Sequence, residues 1–241
     1  MCISTSNFLQ RIGNVDTMDD KTPYLYGDGE VEVLDEQEFA QIRSEAERGY
    51  AEAQYALGLV LARRDGVKHG DWAEAVKWYL LAAEQGYAAA QHEMGVLCAV
   101  GAGMRKEPKA AAGWYRKAAE QGYSMSQFEL AHCYAVGFGV EMDVAESLKW
   151  LKCAATNGNA MAQAQLGSCY ANGDGVAKDL AIGLMWLRKA ADQGEPSALY
   201  NLALMYARGN GVGKDEDEAY RLLRLSAEQG FELAMKIVGD I

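Results

Sequence analysis

One glycine returns on a fixed schedule through this chain, at Gly49, Gly86, Gly122, Gly158, Gly194 and Gly230, first after 37 residues and then after 36 four times over. That regularity in 241 residues leaves few folds open. The chain must be an array of one supersecondary unit, each copy exposing apolar surface that only a neighbouring copy can bury. The string AEQGY, at 83–87 and again at 119–123, is one corner of that unit written twice.

Counted from each marker glycine, offset 8 holds Leu57, Met94, Leu130, Leu166, Leu202 and Val238, and offset 12 holds Leu61, Cys98, Tyr134, Tyr170 and Tyr206. Apolar residues at offsets 4, 8, 11 and 12 make the stripe of a first helix, A, over offsets 2 to 14. Small residues at offset 9 let a second helix come close. Glycine pairs follow in four repeats, for example Gly101 with Gly103, where a chain leaving a helix needs positive φ. An acid column at Asp71, Glu107, Asp143, Asp179 and Asp215 then caps a second helix, B. Helix B is expected to bury Trp78, Trp114, Trp150, Trp186 and Leu222 together with the alanine pairs before each marker. Alanine permits close packing and the glycine turns the chain back, so the recurring string is architectural.

The expected organisation is an N-terminal arm over 1–34, a capping helix over 35–48, five repeats (49–85, 86–121, 122–157, 158–193 and 194–229) and a C-terminal capping helix over 231–241. A composition of 50% hydrophobic residues, only three prolines and 26 glycines fits short helices punctuated by turns, an all-α chain. The net charge of −11 argues against a nucleic-acid surface, which gathers Lys and Arg on one face, and suits a partner with a basic surface. No window approaches 18 consecutive apolar residues, so no membrane insertion is expected. The first ten residues do not read as a secretory signal, and a cytoplasmic protein is the expectation.

Residues that invite chemistry fall into the same columns. Cys133 and Cys169 share offset 11 with Val60, Leu97 and Met205, and read as packing cysteines. Equivalent positions in adjacent repeats lie about 8–10 Å apart, too far for a Cys133–Cys169 disulfide. His92 and His132 stand 40 residues apart, without the spacing of a metal site. Ser168 beside Cys169 has no histidine in a matching column, which disfavours a nucleophilic triad. The G-x-G loops follow helices rather than strands, so they are not dinucleotide fingerprints. No catalytic residue, metal ligand or cofactor is expected.

With LGSCY at 166–170 and LALMY at 202–206, helix A resembles that of tetratricopeptide repeats. The 36-residue unit, its G-x-G-V loop and its W-x-x-x-A-A-E-Q-G close, seen in full as GDGVAKDLAIGLMWLRKAADQG at 173–194, resemble the Sel-one-like repeat (SLR) family, whose known examples point to a bacterial source. The resemblance covers about 44–241 and implies a right-handed α/α superhelical solenoid. It also implies a role as adaptor or scaffold, and bacterial examples include immunity proteins that neutralise a toxin.

In tetratricopeptide proteins helix A lines the concave face, which implies a groove formed here by offsets 3, 6, 10, 13 and 14. Offset 6 supplies an aromatic ladder, Tyr55, His92, Phe128 and Tyr200. Met125 and Met161 join at offset 3, His132 and Ser168 at offset 10, and Arg63, Asn172 and Arg208 at offset 14. Aromatic, methionine and arginine side chains dominate binding energetics, so the expected function is a non-enzymatic scaffold that binds a peptide or protein in that groove. An immunity protein neutralising a cognate toxin is the alternative. A hydrolytic or metal-dependent enzyme is disfavoured, because no acid, base and nucleophile converge.

Overall fold

The computed structural model describes residues 5, 9, 36–63 and 72–239, the side chain of Arg63 excepted. Asp71 and the loop around Gly66 lie outside them. Helix follows helix: α1 (Glu36–Glu47), α2 (Ala51–Arg63), α3 (Trp72–Glu84), α4 (Ala88–Val100), α5 (Pro108–Glu120), α6 (Ser124–Val136), α7 (Val144–Thr156), α8 (Ala160–Asn172), α9 (Leu180–Asp192), α10 (Pro196–Arg208), α11 (Glu216–Glu228) and α12 (Glu232–Gly239). No strand occurs among the described residues, and the fold is all-α and repetitive. The even-numbered helices are A helices and the odd-numbered ones B helices.

The turn chemistry works as the spacing demands. The glycine that ends α4, Gly101, sits in the left-handed region at φ 86° and donates its N–H to the Leu97 carbonyl, so the last turn is satisfied without a side chain. Asp143, Asp179 and Asp215 cap α7, α9 and α11, the first two each accepting from two backbone N–H groups of the first turn and Asp215 from one, that of Glu218. Glu107 makes no such bond, and Pro108 behind it removes one of the orphan donors instead.

The chain divides into two compact units, residues 1–142 and 143–241. In the first, α2 packs on α3 and α4 on α5, and the buried cluster runs from Ile42 through Leu57, Tyr79 and Met94 to Leu97. Leu9 joins that cluster, and the buried Thr5 donates its hydroxyl to Glu45. In the second, α8 packs on α9 and α10 on α11 around Leu187, Leu199, Leu202 and Leu222.

The approach of A to B is set by glycine. A methyl group at Gly95 would stand 2.5 Å from the ring of the buried Tyr115, and one at Gly167 would stand 2.8 Å from Leu187. The tryptophan column departs from expectation. Trp78, Trp114, Trp150 and Trp186 are only half-buried, while the next residue inward, Tyr79, Tyr115, Leu151 or Leu187, is the one sealed in the core. On α3 the buried stripe is Ala75, Tyr79, Ala82 and Ala83, a run at helical spacing that leaves Trp78 on its flank. The flanking indoles carry lysines over their faces, at 3.8 Å for Lys117 on Trp114 and 4.5 Å for Lys189 on Trp186.

Candidate interaction faces of the A helices

The aromatic ladder at offset 6 is largely a packing device. Tyr55, on α2, is 0% exposed. Its ring lies 5.8 Å from Tyr79 and 5.1 Å from Tyr87. His92, on α4, is 6% exposed, and its ring lies 5.8 Å from Tyr115 and 5.4 Å from Tyr123. The cause lies at the start of the next repeat: Tyr87 and Tyr123 stand directly after the marker glycine, so the positive-φ turn folds each onto the offset-6 ring of the repeat before it. The B-helix tyrosine closes the other side. Tyr55 and His92 therefore cannot belong to an accessible groove.

Burial also sets their chemistry. His92 Nδ1 lies 2.9 Å from the hydroxyl of the fully buried Ser126, and desolvation lowers the imidazole pKa to about 4. It is neutral at pH 7. The Tyr55 hydroxyl has no hydrogen-bond partner among the described residues, and burial raises its pKa well above the ordinary value. Burial likewise pushes the Cys133 thiol up to about 12 and raises Cys98 and Cys169, which keeps these free thiols protonated and poor nucleophiles. Among the described residues no three His, Cys, Asp or Glu side chains gather as a metal would need.

Surface remains elsewhere on the A helices. On α6, Met125 and Phe128 are half-buried and His132 is exposed, and their spacings of three and four residues put them on one face. Tyr123 donates its hydroxyl to the Met125 sulfur at 3.8 Å. In the second unit Met161 is half-buried, and Asn172 is exposed with its amide donating to Asp174 at 3.2 Å. Arg208 is exposed. Ser168 is engaged within the fold, donating to the Ala164 carbonyl and accepting from Asn201, both at 3.0 Å. Tyr200 is half-buried with its ring 5.3 Å from Phe231. The side chain of Arg63 lies outside the described residues.

A glutamine ladder escaped the sequence reading. Gln85, Gln121 and Gln193, the Q of each A-x-Q-G corner, donate to Gln54, Gln91 and Gln163 at 2.7, 2.7 and 2.8 Å. Gln54, Gln91 and Gln163 in turn donate to the carbonyls of Ala46, Ala83 and Ala155 in the preceding B helix. The signal was a glutamine at offset 5 paired with one just before the next marker, about 30 residues on. In the fifth repeat Leu199 takes the offset-5 place, and the Ser226 hydroxyl bonds the Pro196 carbonyl at 2.7 Å.

Comparison with known proteins matches this geometry to one family. The profile of the Sel1 repeat aligns five times in succession, over 51–87, 88–123, 124–159, 160–195 and 196–231. Among curated proteins there is no match. Among solved structures, a Sel1 repeat protein from Oxalobacter formigenes is 32% identical with a TM-score of 0.77, covering 86% of this chain and 60% of its own. A protective antigen of uropathogenic Escherichia coli with an SLR fold, c5321, is 34% identical with a TM-score of 0.73, covering 87% of this chain and 45% of its own. The present chain thus spans only about half to three fifths of those two proteins. The immunity protein Pa5087 from Pseudomonas aeruginosa is 28% identical with a TM-score of 0.54, covering 76% of this chain and 67% of its own. With its five matched repeats filling most of its length, the chain belongs to the Sel1 repeat family.

Proposed function

We propose that this protein is a non-enzymatic scaffold that holds a protein or peptide on the faces of its A helices. Sel1 repeats generally mediate protein interactions. The observation that carries the reading here is the α6 row of Met125, Phe128 and His132, which keeps accessible surface while the equivalent rings Tyr55 and His92 are spent on packing. An aromatic ring and a thioether on one helical turn are suited to grip an apolar side chain, and the histidine beside them offers a polar contact at the rim. In the second unit Met161, Tyr200, Asn172 and Arg208 supply similar chemistry.

The decisive experiment is affinity capture with the full chain, comparing wild type with a Met125→Ala/Phe128→Ala variant whose helicity and melting are first shown to be intact. Loss of a partner by the variant supports the α6 face. Equal recovery of every partner removes that face from the binding surface.

The likeness to Pa5087, together with the net charge of −11, favours a second reading in which the partner is a toxin with a basic surface. Co-expression with a toxin encoded next to this gene tests it. Protection that fails on Met125→Ala/Phe128→Ala supports both readings, and no protection leaves the adaptor role alone.

A further inference from the structure

The B helices of the second unit break their own pattern at one place. On α7, Glu146 and Lys149 form an exposed ion pair at 2.9 Å, and on α11 Glu218 and Arg221 form one at 2.7 Å. The two pairs occupy the same positions of the repeat, twelve and nine residues before the next marker glycine. On α9, between them in the repeat order, those positions hold Ile182 and Met185, 36% and 43% exposed. Successive B helices meet through the loops that lead into them. Gly175, leading into α9, lies against Val144 and Leu148 of α7, and Gly211, leading into α11, lies against Leu180 of α9. An exposed apolar pair is therefore bordered on both sides by ion pairs of the same polarity, carboxylate first and cation one turn later.

We infer that this face is a self-association surface on which a second copy of the chain packs α9 against α9, Ile182 on Met185. The charges select the arrangement. When two identical faces meet about a two-fold axis, the axis lies in the plane of contact, and with α9 lying along α9 of the second copy it runs either along the helices or across them. Along them, α7 would meet α11 of the second copy in the same direction, with Glu146 facing Glu218 and Lys149 facing Arg221. Across them, every helix meets its own counterpart antiparallel, so Glu146 faces Lys149, Glu218 faces Arg221, and the apolar pair meets itself in reverse. Only the second is complementary, and like charges directly opposed would reject the first.

The size of the face sets the expected strength. Helices of 13 residues are about 20 Å long. A face made of three such helices presents on the order of 500 Å² per copy, about 1,000 Å² in total, the low end for a specific interface. A face of that size fits weak, concentration-dependent association. At about 0.15 M salt the screening length of about 8 Å mutes the repulsion between two copies of charge −11 while sparing close ion pairs.

Sedimentation of the full chain from micromolar to about 0.5 mM tests the inference. The wild-type mass should rise from 26.2 kDa toward twice that value. Ile182→Glu should weaken association at least about tenfold with circular dichroism and melting unchanged, since the side chain is solvent-facing. Lys149→Glu should also weaken it, and Glu146→Lys/Lys149→Glu should return it to the wild-type constant, because the antiparallel pairing is restored in reverse. A wild type that stays at the mass of one chain, an Ile182→Glu variant that dimerises like wild type, or a charge swap that tightens association well beyond wild type would each overturn it.

Discussion

Acidification forces a charge onto His92 inside a shell of Tyr115, Tyr123 and Ser126 that water does not reach. Its folded pKa of about 4 lies below the ordinary 6.5, so the unfolded chain binds the extra proton first. The contribution is fully present above pH 6.5 and is lost as pH falls toward 4, amounting to roughly 3 kcal/mol over the whole window. Denaturant titrations at about pH 7, 5.5 and 4.5 should show this fall on top of the general acid response. His92→Phe/Ser126→Ala restores the residues found at those offsets in other repeats, Phe128 and Ala162, and should flatten the same window. An unchanged slope in the double variant would show that His92 is not the group responsible. At Tyr55, where the hydroxyl is buried without a described partner, Tyr55→Phe should leave stability unchanged or raise it by up to about 1 kcal/mol, read as a melting shift.

Two glycines on neighbouring helices have opposite uses. Gly95 lets α4 close onto Tyr115, so Gly95→Ala should cost about 1–3 kcal/mol in overpacking, more than the roughly 1 kcal/mol that alanine returns in helix propensity. Gly113, in the interior of α5, is exposed with open space where a methyl would go. Gly113→Ala should therefore stabilise by about 0.5–1 kcal/mol. Thermal melts of the two variants, moving in opposite directions, check the A–B contact itself. The glutamine ladder joins elements in the same way. Gln91→Leu removes its bond to the Ala83 carbonyl and the bond it accepts from the Gln121 amide, at a cost of about 0.5–1.5 kcal/mol each, read as a lowered melting temperature.

At the scale of the whole molecule, a net charge of −11 should make association with a basic partner slow as salt rises, with the on-rate falling more than the off-rate changes in stopped-flow or surface-binding kinetics. A rate indifferent to salt would point to an apolar encounter, such as the α6 face alone. How much of this was legible beforehand differs between fold and surface. The 36-residue period carried the helices, their A and B alternation and the caps at Asp143, Asp179 and Asp215, because propensity, capping and turn conformation depend on a few neighbouring residues and repeat when those residues repeat. The same letters could not tell that Phe128 keeps accessible surface while Tyr55 is sealed, since both are aromatic at offset 6. Nor could they show that the core residue of helix B stands one place past the tryptophan. Burial is a property of which neighbours arrive from other repeats. A tyrosine folded back by a left-handed glycine seals one ring, and its absence after the third repeat, where Asn159 follows Gly158, belongs to a pairing that only the tertiary structure makes meaningful. Local chemistry was thus determined by sequence, and accessibility was decided by packing between segments more than thirty residues apart.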